Sequence, residues 1–482
     1  MPESPHGQTV VPGRFRNYSL LRRLAPKVRE DLGATYRRNL YKWLLIAPLI
    51  GVAAGLLITV VAVATIHKLW PAVFGFFLRH HWAIIPCLTA SFAGIGWLMQ
   101  RFTPNPNEHS TEEVIASYHE HGGDLHLRAL PTKLLASVLT VGLGGSSALE
   151  GPSIYGGAAL GTWLWRHLRG IQRLRISDRD RRIMLICGAA AGMSAVFRAP
   201  LTGVVFALEM PYKDDLAHEA LLPSLIASVV SYFTLGALVS SEPLFNFSTQ
   251  GTYTMRDLLW CALLGAIIAL VAMTFVITFR RFRRFVVRQP GEHWMKLAAG
   301  GFLTGLCGIL FLQIYPGTMV PIGPNYEVVE QILREAHTST QLAVFSIFKL
   351  AATAFTLGAG GVGAMFVPMF LTGGCIGIIF SQSVVHSTFV GLYAAVGMAA
   401  FIAAAYKAPL AAVVFVAEVT GGHAYLIPAL VGSAVAYAIS GDASISADQR
   451  VSALADDPHT PVLDAADLPE AVAAGSATPT TP

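Results

Sequence analysis

Long apolar stretches recur along almost the whole chain, and they constrain its fold more than any other feature of the sequence. Runs close to or above the roughly 18 residues that cross the hydrocarbon core of a bilayer recur between Tyr41 and Ser440. Only 13% of the residues are charged, against roughly 25% in soluble domains. The sequence therefore predicts an integral membrane protein and excludes a soluble enzyme.

The apolar stretches predict helices, because strands that cross a membrane alternate apolar and polar residues and these stretches are continuously apolar. Clear spans are predicted at about 41–67, 82–100, 221–241, 255–279, 295–315 and 424–440. Segments that are too short or too interrupted for simple spans lie at about 131–147, 153–166, 183–208, 342–357, 366–381, 388–403 and 409–420. Since irregular backbone at membrane depth must be covered by protein or line a cavity, an all-α polytopic fold with broken helices around a pathway is expected.

Arginine-rich segments at 14–38, 166–182 and 280–288 are expected on the cytoplasmic side. Residues 1–40 are interpreted as a basic cytoplasmic segment and not as a nucleic-acid-binding arm, since basic residues that flank a span are the usual topogenic signal. The first apolar run is too long for a signal peptide, and residues 447–482 are predicted to be a disordered tail. We expect both termini in the cytoplasm and the protein in the inner (plasma) membrane.

An internal repeat divides the membrane region, 41–446, into halves at about 41–241 and 255–440. A shift of 209 residues superposes 197–209 on 406–418, which share an aromatic residue, a cation, Ala-Pro-Leu, Val-Val-Phe and a glutamate. Repeated halves of this kind are typical of transporter folds with a binding site at the repeat interface.

A second shift, of 216 residues, superposes Lys133, Thr140 and Pro152 on Lys349, Thr356 and Pro368, with several glycines in register. The glycines and small residues of 144–152 expose backbone N–H groups, and its proline suits the first turn of a helix. Segment 360–368 has the same character, so two helix N-termini are predicted to converge on one anion. The alternative is that these glycines only allow close helix packing.

Glu150 is a carboxylate within an otherwise uncharged apolar stretch, where a charge is unfavourable and usually functional. It is predicted to be a gate: the ionised side chain replaces the transported anion, and protonation releases it. The alternative is a carboxylate that only compensates the helix dipole. Other charges in apolar segments are interpreted first as structural pairs or helix ends and second as pathway residues: Lys133, Lys349, Arg198, Lys407, Glu209 and Glu418.

These motifs resemble those of the CLC family of chloride channels and proton-coupled chloride antiporters, in its prokaryotic form without C-terminal regulatory domains. The G-x-E-G-P element matches 148–152, with Ala148 and Leu149 in place of Gly and Arg. The G-x-F-x-P element matches 364–368, with Ala364 in place of Gly. The resemblance implies two inverted repeats of broken and tilted helices, a homodimer with one pore per subunit, and chloride or another small anion as substrate.

The resemblance also implies gating by Glu150 and backbone N–H ligands for the anion, from Ala148, Leu149, Glu150, Met365 and Phe366. The family loop whose serine contacts the anion falls on 108–112, where His109 occupies the serine position. Ser110 and Glu113 resemble a capping box, so His109 and Ser110 both remain candidate ligands. The anion-contacting tyrosine of the family falls on Ser446, which predicts the loss of the aromatic inner gate.

Proton-coupled members end one segment with two glutamates, and here Glu209 matches the first and Met210 the second. Because a thioether carries no proton, we favour a passive, glutamate-gated anion channel over an antiporter with another proton route, through Glu209, His109 or a water chain. The five cysteines lack metal-ligand spacing, so neither metal nor cofactor is expected. A hydrolase using Ser146 or Ser147 is a weaker alternative, since no histidine base lies in a repeated segment.

Overall fold

The computed structural model describes residues 18–107, 110–125, 127–172, 174, 176–239, 244–245, 253–387, 389–421, 423–446 and 448–452. The chain divides into two units, residues 1–46 and 47–482, and every contact discussed below lies within the second. The named elements of regular structure in the described ranges are all helices.

The helices of the first half are α1 (Tyr18–Ala62), α2 (Trp70–Arg79), α3 (Ile84–Phe102), α4 (Ser110–Glu120), α5 (Leu130–Gly142), α6 (Glu150–Leu168), α7 (Asp178–Phe197), α8 (Pro200–Glu209) and α9 (Leu221–Leu238). Those of the second half are α10 (Met255–Arg288), α11 (His293–Ile314), α12 (Tyr326–Arg334), α13 (Ser339–Gly358), α14 (Phe366–Phe380), α15 (Val390–Tyr406), α16 (Pro409–Thr420) and α17 (Leu426–Ile439). The π-helical turn Val63–Leu69 joins α1 to α2.

Seven helical segments of the described residues are long and apolar enough to cross a membrane. They are Leu40–Arg79, His81–Phe102, His218–Leu238, Met255–Arg288, His293–Ile314, Ser339–Gly358 and Phe366–Val385. The first five coincide with predicted spans, and the all-α polytopic fold is confirmed.

Segments 342–357 and 366–381, predicted to be too short for simple spans, belong to the last two of these helices. A capping box between Thr338 and Gln341 begins α13 before its apolar residues do. The π-helical turn Ser381–Val385 lengthens α14 at its other end. The prediction was wrong because it counted apolar residues and omitted the polar turns that extend both helices.

The opposite error occurs at 424–440, which was predicted as a clear span. A 3₁₀ turn, His423–Tyr425, takes up the start of this segment, and α17 has only 14 residues. A helix of that length measures about 21 Å, shorter than the roughly 30 Å hydrocarbon core of a bilayer.

Hydrogen bonds between the two halves join equivalent residues, as expected around a pseudo-two-fold axis. The N–H of Ala148 donates to the carbonyl of Ala364, and the N–H of Ala364 donates to the carbonyl of Ala148, each at 3.1 Å. These two residues are equivalent under the shift of 216 and pair in antiparallel fashion. A second exchange links equivalent residues: Ser146 N–H to Thr356 Oγ1 (3.1 Å) and Val362 N–H to Thr140 Oγ1 (3.3 Å).

The glutamates that end the Ala-Pro-Leu segments make a further reciprocal exchange. Glu209 accepts the N–H groups of residues 410–411 at 3.1 and 2.8 Å. Glu418 accepts those of residues 201–202 at 2.9 and 2.7 Å. Each carboxylate therefore binds the first turn of the helix in the opposite half, where free N–H groups and the helix dipole favour an anion.

Left-handed residues interrupt both halves at equivalent places. Gly144 and Gly360 adopt φ of 108° and 112°, a region that glycine enters without a steric penalty. Arg198 and Lys407 end α7 and α15 at φ of 55° and 57°. A proline then opens the next helix in both cases. These interruptions place helix N-termini inside the protein, where first-turn N–H groups take partners from outside their own helix.

Candidate functional site

Two helix N-termini, those of α6 and α14, meet at the repeat interface. The residues that precede them, Leu149 and Met365, make no side-chain capping hydrogen bond. First-turn N–H groups have no partner within their own helix, and the dipole adds partial positive charge. The paired helix starts therefore form a place where an anion is stabilised, here called the anion cradle and consisting of residues 148–150 and 364–366.

A carboxylate already occupies part of this cradle. Glu150 is 2% exposed, and its Oε1 accepts the N–H of Phe366 at 2.6 Å. Its Oε2 has no hydrogen-bond partner among the described residues. Glu150 begins one helix but binds the start of the other, so its side chain stands where an anion bound to Phe366 would stand.

The structure corrects the predicted role of Ala148. Its N–H donates to the carbonyl of Ala364, so that donor belongs to the bridge between the halves and is not free for an anion. Among the other predicted donors, the N–H of Phe366 is held by Glu150 and that of Met365 by the hydroxyl of Tyr406, at 3.3 Å.

The start of α4 lies beside the start of α6. A Cβ placed on Gly151 would be 3.2 Å from Thr111 Oγ1. Ser110 is 1% exposed, and its hydroxyl has no partner in the described part of the chain. The predicted capping box does not form, because the Glu113 carboxylate instead pairs with Lys133. Ser110 stays a candidate ligand, and His109 lies outside the described residues.

Ser446 is buried, and its chain neighbour Ile445 is hydrogen-bonded to the residue before Tyr406. The N–H of Ile445 donates to the carbonyl of Ala405 at 2.9 Å, which fixes this neighbourhood. Ser446 stands at the position of the family tyrosine, and the predicted loss of that aromatic gate stays a prediction. An aromatic hydroxyl that the sequence analysis did not expect, that of Tyr406, lies at the cradle. The sequence held a signal, since the repeat aligns Tyr406 with Phe197 and only the tyrosine carries a hydroxyl.

A cavity of about 600 Å³ opens beside Ile445. Its charged lining consists of Glu112, Arg280, Arg283, Arg284 and Arg288. Arg283 Nη1 donates to both carboxylate oxygens of Glu112 at 2.9 Å. Burial raises the pKa of the nearby Asp448, and the charge of Glu112 raises it further. The excess of arginines makes this cavity attractive to anions.

Met210 is 2% exposed and ends α8. Gln449 Nε2 donates to the carbonyls of Met210 and Tyr406, both at 3.1 Å. The neighbouring Glu209 binds the start of α16 and is thereby a helix-capping group, as interpreted first from the sequence.

Other charged side chains in apolar segments also bind the surrounding helices and turns. Lys349 Nζ donates to the Gly323 carbonyl at 3.0 Å, and Lys407 Nζ donates to Ser440 Oγ at 2.5 Å.

Ser146 and Ser147 serve as links between the halves. Ser146 Oγ lies 2.9 Å from Thr353 Oγ1. Ser147 Oγ donates to the carbonyl of Ala364 at 3.0 Å and accepts its N–H at 2.9 Å. Neither hydroxyl contacts a general base in these bonds, so the geometry gives no support to a serine hydrolase.

An anion cradle at the interface of two inverted membrane repeats defines a membrane anion-transport protein. A family model described as Voltage gated chloride channel matches residues 90–441. The chain belongs to this family, the CLC channels and transporters, as its motifs predicted.

Two relatives and one solved structure show how far the likeness extends. The H(+)/Cl(-) exchange transporter ClcA of Yersinia pestis bv. Antiqua is 28% identical over 361 residues, 73% of this chain and 73% of the relative. An uncharacterized protein of Methanocaldococcus jannaschii is 25% identical over 399 residues, which cover 83% of this chain and 93% of the relative. The crystal structure of a CLC-type fluoride/proton antiporter superposes with a TM-score of 0.74 at 23% identity, covering 86% of this chain and 98% of that one. The predicted CLC fold is confirmed.

Proposed function

We propose that this protein exchanges chloride or a similar small anion for protons across the membrane. The observation that carries the proposal is the Glu150 carboxylate bound to the N–H of Phe366 at 2.6 Å inside the anion cradle. The carboxylate and an anion compete for the same donors, so one leaves when the other binds. A proton neutralises the carboxylate and favours its departure, and proton binding is thereby linked to anion binding.

The relative ClcA supports exchange over the passive channel that the sequence favoured, since it is named an H(+)/Cl(-) exchange transporter. The passive channel remains a second candidate because of one observation: Met210, at the position of the second family glutamate, is buried and apolar. In an exchanger, this residue means that protons reach Glu150 without a carboxylate at position 210.

The anion ligands of the proposal are the N–H groups of Leu149, Glu150, Met365 and Phe366. The hydroxyls of Ser110 and Ser446 and the ring of His109 are proposed as secondary ligands. We further propose that the arginine-lined cavity beside Ile445 is the cytoplasmic entrance, since the basic end of α10 is expected on that side. The same rule places both termini in the cytoplasm.

The proposed assembly is a homodimer in the plasma membrane, as the family resemblance implies. The mass of the protein solubilised in mild detergent tests this assembly. A single chain of 51.5 kDa after correction for bound detergent would contradict it.

Flux measurements in liposomes test the proposed exchange. Purified protein is reconstituted, a chloride gradient is imposed, and chloride and pH are recorded together. The exchanger moves protons against their own gradient in fixed ratio to chloride. A reversal potential that follows chloride alone would contradict exchange and favour the passive channel. Glu150→Gln is the matched control, because it keeps the shape of the side chain and removes its proton chemistry.

A further inference from the structure

We propose that Tyr406 is a direct anion ligand, whose hydroxyl donates to the anion in the cradle and sets its affinity. The inference rests on the proposed function, because it assumes that the transported anion binds at the N–H of Phe366 in place of the Glu150 carboxylate. It assigns to α15 a role in anion binding, which the sequence analysis predicted for no residue of that helix.

The two adjacent N–H groups at the start of α14 donate to oxygens of two different side chains. The N–H of Phe366 donates to Glu150 Oε1 at 2.6 Å, and that of Met365 donates to Tyr406 Oη at 3.3 Å. The tyrosine hydroxyl therefore lies directly beside the carboxylate in the cradle. An anion that replaces the carboxylate meets this hydroxyl next to the Phe366 N–H.

The hydroxyl of Tyr406 can still act as a hydrogen-bond donor. A phenol donates one hydrogen bond and accepts others, and Tyr406 Oη uses only its acceptor capacity in accepting from Met365. Within the described ranges, no hydrogen bond runs from Tyr406 Oη to a protein acceptor, although the residue is only 7% exposed. A buried donor without an acceptor is unfavourable, and an anion in the cradle supplies the acceptor.

The surrounding structure holds the tyrosine ring in place. Its centroid lies 5.6 Å from that of Phe366 and 5.9 Å from that of Phe206. Gln449 Nε2 fixes the backbone carbonyl of Tyr406 at 3.1 Å. Ring and backbone are thus both restrained, so the hydroxyl is positioned in advance for a ligand.

The equivalent residue in the first half shows that packing alone does not require a tyrosine. Phe197 corresponds to Tyr406 under the shift of 209, and its ring packs on Phe366 with centroids 5.3 Å apart. A phenyl ring therefore fills this kind of position without a hydroxyl. At the equivalent place in the second half, the ring of Tyr406 carries a hydroxyl, and that hydroxyl lies at the cradle.

Chloride titration calorimetry on the full-length protein in detergent tests the inference. The Glu150→Gln background removes competition by the carboxylate, and Tyr406→Phe is added to it. Because a hydrogen bond to a charged group contributes roughly 1.5 to 3 kcal/mol, chloride affinity should fall about tenfold or more. The matched control is Tyr393→Phe, which removes a hydroxyl from the same helix that donates to Asp257 at 2.8 Å and should leave affinity unchanged.

Unchanged chloride affinity in Tyr406→Phe would overturn the inference. Absence of chloride binding in Glu150→Gln itself would contradict the cradle and both proposals. If Tyr406→Phe weakens binding but wild-type liposomes move no protons, the ligand assignment stands and the exchange proposal fails.

Bromide provides a second test that does not depend on the variant folding. Crystals of Glu150→Gln grown in bromide should show an anomalous peak within hydrogen-bonding reach, about 3.5 Å, of Tyr406 Oη. A peak in the cradle but well beyond that reach would overturn the assignment.

Discussion

The two halves of this protein share a scaffold but differ at the positions that face the anion. Gly144 and Gly360 interrupt the two halves with nearly the same φ, and Glu209 and Glu418 cap helices of opposite halves. Glu150, by contrast, is equivalent to Phe366, so one half supplies a carboxylate where the other supplies only its N–H. Symmetric positions hold the structure together, and the positions where the symmetry is broken are those proposed to bind and gate the anion.

The largest expected effect comes from removing the carboxylate of Glu150, whose equivalent in the second half is Phe366. Glu150→Gln cannot ionise, so coupled proton movement should vanish while chloride still crosses. Wild-type chloride flux should rise as pH falls, because protonation withdraws the carboxylate from the cradle. In the variant, flux should change less than about twofold from pH 5 to pH 8, because the amide that replaces the gating carboxylate does not titrate in this range. Paired chloride and pH recordings in liposomes measure both quantities.

A wild-type pH response in Glu150→Gln would make Glu150 a partner of the helix dipole only. The gate would then have to be another group, and His109 would be the next residue to change.

The symmetric glutamates should show equal effects on stability and none on selectivity. Glu209→Gln and Glu418→Gln each weaken two bonds from helix N–H groups to a carboxylate, for a loss of about 2 kcal/mol per site. Thermal unfolding in detergent should therefore show similar decreases for the two variants. Loss of proton coupling in Glu209→Gln, with normal stability, would instead make Glu209 a proton carrier.

Restoring a carboxylate at position 210 sharpens the comparison with the exchanging relatives. Met210→Glu should raise the proton flux severalfold, because a group that accepts and donates protons then stands at the end of α8. Met210→Gln has a similar size and carries no proton, so its flux should match the wild type. An equal increase in both variants would show that polarity, and not proton transfer, limits the rate.

The smallest effect is expected at Ser446. Ser446→Ala should lower chloride affinity by no more than about fivefold, since the backbone N–H groups and Tyr406 remain, and a loss of about 1 kcal/mol corresponds to that factor. Calorimetry alongside Tyr406→Phe compares the two hydroxyls directly. Abolished chloride binding in Ser446→Ala would show that position 446 dominates the site.

Hydropathy and the internal repeat predicted five of the seven candidate membrane helices among the described residues and the two segments that form the cradle, because both signals lie in consecutive residues. They did not predict that the N–H of Ala148 donates to the carbonyl of Ala364. They also did not predict that the Glu113 carboxylate pairs with Lys133 and not with Ser110. These partners come from other helices and become adjacent only after folding. Tyr406 was missed for the same reason, since its hydroxyl reaches the cradle from α15.

The antiparallel pair at Ala148 and Ala364 also limits how the molecule moves. Its two hydrogen bonds join the two halves directly, so a movement that separates the halves at this pair has to break both of them. The serine and threonine hydroxyls around the pair add further links between the halves. We therefore expect the two halves to stay joined at this pair while the pathway opens. The opening step is then a rotation of the Glu150 side chain and not a movement of one half against the other.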